Sequence, residues 1–499
     1  MKKVELETII SSRLYIYLLT IFFIGCAGTH DVRIEDLDVP VPDMWGVLIP
    51  QSEQITGDWW SYFNDLKFNT YLNNLRNESP DIKTLYQNQR MAYHSARING
   101  ASIYPAVNMS AKADTSIQNL AGFGFADSFL NAGNGQDSTG NGQTSADEVI
   151  TFGNKNYGLG LNLQWEIDIW GRLLNGRKAA YKDFEAAQYD LSYLGFSILV
   201  HGAQLYFQGR ESAAQLALAQ ESYNSLVEIR DLVKERYEKG LRSSLDYRLA
   251  ETSVATSIVT IENRKNQLKT INRQLEILIG QYPSGTLVER KVMPDNLPPV
   301  PAGIPAAVLG RRPDIRSLIL KVESASHRAA QAKRNLLPGI TLNGSAGTST
   351  RQLEEILNRD HGIWTLGLNI TAPVFNGNRL RAAVKVQEAS FERSKQELIR
   401  GILGAFSEIE QLLQSNESLN IQLDALETAV QQSEDAYTLS KERYDKGVTT
   451  LESVLNSQRQ YNTIRSQHLT LRRQAIDNRL SLILVLGGDM NSYHTQILN

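Results

Sequence analysis

Side chains capable of covalent or acid–base chemistry are numerous here, but few are spaced to use it. Seven histidines occur in 499 residues, and none stands in a His-Glu-x-x-His pair, the helical spacing that brings two imidazoles to one zinc ion. No Gly-rich loop ends in Lys-Ser or Lys-Thr to cradle a phosphate, and no Gly-x-Ser-x-Gly elbow presents a nucleophilic serine. Glu166 and Asp168 come closest to a catalytic pair. Two residues apart in a strand, they share one face. With polar Gln164 before them and apolar Trp165 and Ile167 between, they read better as part of a water-facing wall. The chain has one cysteine, Cys26, which excludes a disulfide framework and any Cys-based zinc site. The residues point to no enzyme, no cofactor and no metal.

The remaining chemistry is modification of Cys26 itself. Lys2, Lys3 and Arg13 precede an apolar run from Leu14 to Ile24, which stops at Gly25-Cys26-Ala27-Gly28. The run is shorter than the roughly 20 residues a membrane span needs, and its layout is that of an export signal, residues 1–25. Phe23-Ile24-Gly25-Cys26 resembles a bacterial lipobox, although Ile24 stands where a small residue is usual and Glu5 and Glu7 are unusual so near the start. The expectation is a cysteine acylated after cleavage, with Ala27 behind it fitting outer-membrane sorting by the lipoprotein resemblance. A plain signal peptide with a chance cysteine is the competing reading.

Charge excludes another class. There are 51 basic and 54 acidic side chains, a formal net charge of −3, so the clustered excess of Lys and Arg that nucleic acid requires is missing. At 42% hydrophobic and 21% charged residues, the chain can bury a core. No later segment is apolar for the ~18 residues of a transmembrane helix.

The elements that must position these residues are repeated. Lys234-Glu235-Arg236-Tyr237-Glu238-Lys239-Gly240 returns as Lys441-Glu442-Arg443-Tyr444-Asp445-Lys446-Gly447, and Leu159-Gly160-Leu161-Asn162-Leu163 as Leu366-Gly367-Leu368-Asn369-Ile370, both 207 residues on. Gly280 and Gly487 keep that register, whereas Pro80-Asp81-Ile82 and Pro105 return 233 residues on, at Pro313-Asp314-Ile315 and Pro338. The first half therefore holds 26 extra residues, placed in the polar, Gly-rich stretch from about Gln118 to Asn156, which reads as a long loop.

Within each half the period changes. Val107, Met109, Ala111 and Ala113 alternate with polar residues, as do Tyr157 to Ile169, Ile340 to Asn343, and Trp364 to Ile370. A period of two means strands with one apolar face, so each half has one β-hairpin and the chain four strands. Elsewhere the period is helical. Leu398, Ile402, Ala405, Ile409, Leu412, Asn416, Leu419, Leu423, Leu426 and Val430 form a heptad seam with one strongly polar member, Asn416. Its counterpart, from about Tyr181 to Lys239, has a seam softened by Gly195, Gly202 and Gly209. Such helices are on the order of 85 Å long, and Gly240 and Gly447 suit the left-handed turn that ends them. Second long helices then return through Leu249 to Leu278 and Leu455 to Leu486. The fold class is mainly α with β: long antiparallel helical hairpins and two β-hairpins in an internal twofold repeat.

Four strands cannot close a barrel, and an open sheet with an exposed apolar face aggregates. Closure must come from further copies, with apolar faces toward lipid and Asn162, Gln164, Glu166 and Asp168 lining water. The chain resembles the TolC-like outer-membrane channels of tripartite efflux systems, most closely their lipoprotein branch, from about residue 26 to the end. Leu309-Gly310-Arg311-Arg312-Pro313-Asp314-Ile315 is a stretch characteristic of that branch, and Tyr444-Asp445-Lys446-Gly447-Val448-Thr449-Thr450 looks like a periplasmic helix turn. The resemblance implies a lipidated extension and equatorial segment at 26–79, channel repeats at 80–300 and 301–499, and an outer-membrane location reaching into the periplasm. It also implies a homotrimer with a shared β-barrel on a periplasmic α-barrel, a periplasmic adaptor, and an inner-membrane pump, most readily of the RND type.

By the same resemblance Gly240, Leu241, Ser243, Leu245, Gly447, Val448, Thr450 and Leu451 lie where adaptor hairpins dock. The competing reading is that they merely cap and pack two turns. Arg236, Tyr237, Asp246, Arg443 and Tyr444 would hold the tips inward as a gate, or else be solvated coiled-coil positions. Asn456 stands where the family often has an acid, which removes one argument for a second acidic ring. Two other readings are a periplasmic coiled-coil scaffold lipoprotein, which predicts no barrel, and a protein-secretion duct of the same architecture.

Overall fold

The computed structural model describes residues 40, 42–46, 59–119, 151–288, 293–294, 297–298, 300 and 305–486. Cys26, the export segment and Gly487 lie outside them. A short 3-10 turn, Trp59–Phe63, leads into α1 (Leu66–Glu78) and α2 (Pro80–Ala101), then β1 (Ala106–Asn119), β2 (Thr151–Glu166), α3 (Arg172–Glu238) and α4 (Ser244–Leu278). The second half follows with α5 (Pro305–Arg311), α6 (Pro313–Arg334), β3 (Gly339–Thr348), β4 (Gly362–Thr371), α7 (Arg379–Asp445) and α8 (Leu451–Val485).

The repeat holds to the residue. The helices α2 and α6 have 22 residues each, α3 and α7 have 67, and α4 and α8 have 35. At about 1.5 Å per residue the longest pair runs on the order of 100 Å. Helix α3 begins at Arg172, earlier than the Ala- and Leu-rich pattern suggests, because Gly171 takes a φ of +73° and the turn it makes launches the helix directly from the sheet. The first hairpin also differs from expectation. Gln118, Asn119 and residues 151–156 are strand, so the insertion lengthens β1 and β2 to 14 and 16 residues against 10 each for β3 and β4.

Two compact units share the chain, and each draws on both repeats: residues 96–180 with 326–389, and residues 30–95 with 181–325 and 390–499. The first contains the sheet, an antiparallel meander in the order β1-β2-β3-β4. The second contains the helical cores. In one, Trp59, Trp60, Phe63, Phe68, Leu72 and Leu75 pack on Phe196, Leu199, Tyr206 and Phe207 of α3. Asp65 caps α1 by accepting from the amides of Lys67 and Phe68, and its carboxylate also pairs with buried Arg210. In the other, Ile315 and Ile319 of α6 meet Leu398, Ile402 and Ile409 of α7 and Leu482 and Val485 of α8.

The predicted seam of α7 is fully buried from Leu398 to Ile409 and half-buried from Leu412 to Val430. Its polar member is answered, since Asn416 Oδ1 accepts from Arg479 Nη2 at 3.0 Å. Of the glycines softening the α3 seam, Gly202 is a close-approach site: a Cβ there would lie 2.2 Å from Leu75 Cδ2.

The RRPDI stretch has a structural task. Arg312, 3% exposed, donates from Nε and Nη2 to the two oxygens of Asp314 at 3.1 and 2.8 Å, and from Nη1 to the Val485 carbonyl at 3.2 Å. One guanidinium thus ties the first turn of α6 to the last carbonyls of α8, groups that a helix leaves unpaired.

Candidate channel wall and helix-hairpin tips

Register sorts the sheet into rows. Asn108 faces Asn162, Asn162 faces Ser345 and Ser345 faces Thr365, a polar row across all four strands, and Glu166, Thr341 and Asn369 form a second. Gln164 and Asn343 belong to a polar row between these two, and the alternate rows are apolar: Met109, Leu161, Ala346 and Trp364, then Val107, Leu163 and Leu366 with Gly344, then Trp165, Leu342 and Leu368. One face is therefore polar and the other apolar, as the alternation in sequence predicts. Side chains tie the polar rows laterally, through Ser345 Oγ to Thr365 Oγ1 at 2.7 Å and Asn162 Nδ2 to Ser110 Oγ at 3.0 Å. The apolar face is open, with Met109, Trp364 and Ile370 exposed by 74, 77 and 66%.

The four wall residues divide on inspection. Asn162 and Gln164 stand exposed on the polar rows. Glu166 ends β2 and binds Arg172 through both carboxylate oxygens, and Asp168 lies beyond the strand, not on it. The Asp168 carboxylate accepts from the Leu174 amide at 2.7 Å and so serves the start of α3. The strand stops early because the Ile167 amide is the last to reach β3, at Ile340, before the chain turns at Gly171.

At the other set of residues, two helix turns are built alike. The Gly240 amide donates to Tyr237 O and the Leu241 amide to Arg236 O, and Gly447 and Val448 repeat this toward Tyr444 and Arg443. Both glycines have positive φ, +71° and +74°, which closes each helix in a Schellman turn. Ser243 and Thr450 then cap the next helices, accepting from the amides of Asp246 and Ser453. Gly240, Gly447, Ser243 and Thr450 are thus accounted for by the turns themselves. Leu451 is 1% exposed and packs with Val233, Ala250, Tyr444 and Val454 beneath them, so it is core and presents no outward surface. What the tips present outward is Leu241, Leu245 and Val448, exposed by 69, 65 and 71%.

Of the five gate candidates, Tyr444 is central and buried. The Arg236 guanidinium lies 5.5 Å from its ring centroid and reaches Asp445 Oδ1 at 3.5 Å. Arg242, which is not among the gate candidates, lies closer, 4.6 Å from the same centroid. Burial raises the Tyr444 phenol above its ordinary pKa against the opposing pull of Arg242. Tyr237 stacks on Tyr247, with rings 5.7 Å apart and 3° from parallel, while Arg443 is exposed. Asp246 occupies the first turn of α4 and acts on Tyr444 through charge. Sequence could not have found Arg242, because its partner is 202 residues away and the first-half equivalent of Tyr444 is Tyr237, which stacks elsewhere.

The sequence profile of the outer membrane efflux protein family matches residues 71–281 and 304–488. The chain belongs to that family. It is similar to the pyoverdine export outer membrane protein OpmQ of Pseudomonas putida, 27% identical over 435 residues, 86% of this chain and 87% of the relative. It is also similar to the cation efflux system protein CusC of Escherichia coli, 23% identical over 472 residues, 93% and 96% of the two chains. Among solved structures, the Campylobacter jejuni CmeC outer membrane channel superposes with a TM-score of 0.82 at 20% identity, covering 95% of this chain and 98% of that one. The outer-membrane channel OprN gives 0.79 at 20% identity, over 93% and 100%. The fold of this efflux protein is therefore that of the TolC-like channels, which combine an α-barrel with a β-barrel.

Proposed function

We propose that this efflux protein is the outer-membrane exit duct of a tripartite system, receiving small molecules through a periplasmic adaptor from an inner-membrane pump of the RND type. The observation that carries the reading is the four-stranded sheet with one polar face, one apolar face and two open edges. Only closure with further copies satisfies both edges, and a homotrimer gives a barrel of ordinary size with lipid outside and water inside. A helical scaffold leaves that sheet without a purpose.

In this reading Asn162 and Gln164 line the lumen, and Leu241, Leu245 and Val448 form the adaptor contact. Tyr444, held between Arg236 of α3 and Arg242 of the turn that follows it, keeps the two tips of a protomer together. Acylated Cys26 tethers the chain to the membrane, residues 26–79 form the extension and equatorial segment, and the repeats divide near 300. The relatives' cargoes range from pyoverdine to cations, so cargo choice belongs to the pump.

The test is extraction from purified outer membranes, comparing the wild type with Cys26→Ala. A detergent-stable trimer that dissociates only on boiling, carrying an acyl mass that the variant lacks, is the expected result. A soluble unlipidated monomer in the periplasm would overturn the duct.

A further inference from the structure

The chain as a whole is nearly neutral, yet its positive charge is concentrated at one end of the sheet. Register puts the start of β1, the end of β2, the start of β3 and the end of β4 together, through Ala106 opposite Gln164, Glu166 opposite Thr341 and Gly339 opposite Thr371. Besides the last turns of α2, whose residues 95–101 hold one basic residue, Arg97, three helical stretches adjoin this end: residues 172–178 of α3, 328–334 of α6 and 379–385 of α7. Each is seven residues long and holds three Lys or Arg, nine in all, with no Asp or Glu. The connection at the opposite end, residues 349–361, carries two basic and three acidic residues. The sheet unit is thus polar along its strands, positive at the end that the helices join.

Part of the positive charge is used locally. Arg172 is paired with Glu166, Arg334 donates to the Trp170 and Ala330 carbonyls, and Glu388 is shared by Lys333 and Lys385. Exposure is nonetheless general: Lys178, Arg328, Arg379 and Arg381 are exposed, and Lys333 and Lys385, though paired with Glu388, have side chains exposed by 57 and 82%. A run of like charge is often no more than a solvated surface. Here a second feature accompanies it. Between β4 and α7, Val374 and Phe375 are exposed by 96 and 91% although they belong to no strand, and Tyr104, just before β1, is exposed by 64%. Apolar and aromatic side chains left bare beside exposed cations suit the zone where acyl chains give way to headgroups.

We propose that this basic collar seats the anionic headgroups of the phospholipid leaflet at the helical side of the barrel. Each phosphodiester is met by Lys and Arg from neighbouring helices, while Val374 and Phe375 enter the acyl boundary above. The collar fixes how deep the barrel sits, and makes its seating depend on acidic lipid, since surface cations near an anionic leaflet are attracted only within a Debye length. The proposal rests on the barrel reading and adds the lipid class to it.

The probe is phosphatidylglycerol against phosphatidylcholine, titrated into the full-length protein purified in neutral detergent and read by lipid retained in native mass spectra. Phosphatidylglycerol is expected to be retained at roughly tenfold lower concentration at low salt, with the preference shrinking at about 0.5 M NaCl. Arg379→Gln/Arg381→Gln/Lys385→Gln should abolish most of it, and Lys178→Gln/Arg328→Gln is a second variant should the first fail to fold. Equal retention of the two lipids, a preference untouched in a folded variant, or displacement of the lipid by inorganic phosphate would each overturn the collar. A heat-modifiable trimer in the same samples separates this failure from failure of the duct, because the barrel can form without any lipid preference.

Discussion

Asp477, on α8, shows what a single residue in the helical unit contributes. Arg473 is hydrogen-bonded to both Asp477 and Glu211, and Thr470 donates to the other Glu211 oxygen at 2.6 Å. Two carboxylates therefore share one guanidinium, and Asp477 Oδ1 is buried without a hydrogen-bond partner. Burial first, then the Glu211 charge, raises the Asp477 pKa from 3.8 to about 6. The folded protein thus holds a proton that the unfolded chain releases between these values. Its contribution, up to about 3 kcal/mol per protomer, is present in full below the unfolded value and lost as pH rises through about 6. Asp477→Asn, which makes the neutral form permanent, should raise the thermal midpoint at pH 7.5 and leave it unchanged near pH 4.5; a stabilisation equal at both pH values would refute the assignment. Gly202 offers a test of packing. Gly202→Ala drives a methyl into Leu75 and should cost about 1–3 kcal/mol. Leu75→Ala alone should cost about 2–5. The double variant should lose clearly less than the two together, because each change relieves the other; strict additivity would mean that α1 and α3 are not in contact at this point.

The elements show which parts of the architecture sequence can announce. The 207- and 233-residue registers survive as helices of identical length, and the alternation in four segments survives as four strands in the expected faces, because periodicity is a local consequence of which side is buried. Boundaries were less legible. The long loop after Gln118 turned partly into strand, since Gly, Asn and Ser do not forbid pairing once a partner strand is in register, as Gln118 is with Phe152. Alternation in sequence continues through Ile169 and so includes Asp168 in the wall, yet the strand ends at Glu166, before the turn at Gly171. The tip residues were legible as a turn but not by role: only tertiary packing decides that Leu451 is covered while Leu245 is bare. Ser243 and Thr450 make a prediction at this scale. Replacing either with Ala removes an N-cap and should cost about 1 kcal/mol, whereas Leu241→Ser or Val448→Ser should leave the melting midpoint within about 0.5 kcal/mol of wild type and instead weaken crosslinking to the adaptor. Loss of stability without loss of crosslinking in the exposed-residue variants would return those positions to the turn and take them out of the docking surface.

At the scale of the whole molecule, the two faces of the sheet must have opposite tolerances if the barrel closes in lipid. Leu368 stands on an apolar row beside Leu342, exposed by 58%. Arg there faces hydrocarbon and should cost about 2–4 kcal/mol per protomer if the site is near the bilayer midplane. The proposed trimer would carry that cost three times, so Leu368→Arg should abolish the heat-modifiable species in outer-membrane fractions. Asn162, three rows away on the polar face, meets water instead. Asn162→Arg should assemble normally and lower single-channel conductance for cations, because the proposed trimer would place three added charges at one level of its lumen. The contrast separates a lipid-facing barrel from a sheet covered by some other protein. If Arg is tolerated at 368 and rejected at 162, the sheet is inside out relative to the register argument; if it is rejected at both, the polar face is buried by protein and the wall is no wall. Only tolerance at 162 with rejection at 368 agrees with water on the polar rows and hydrocarbon on the apolar ones.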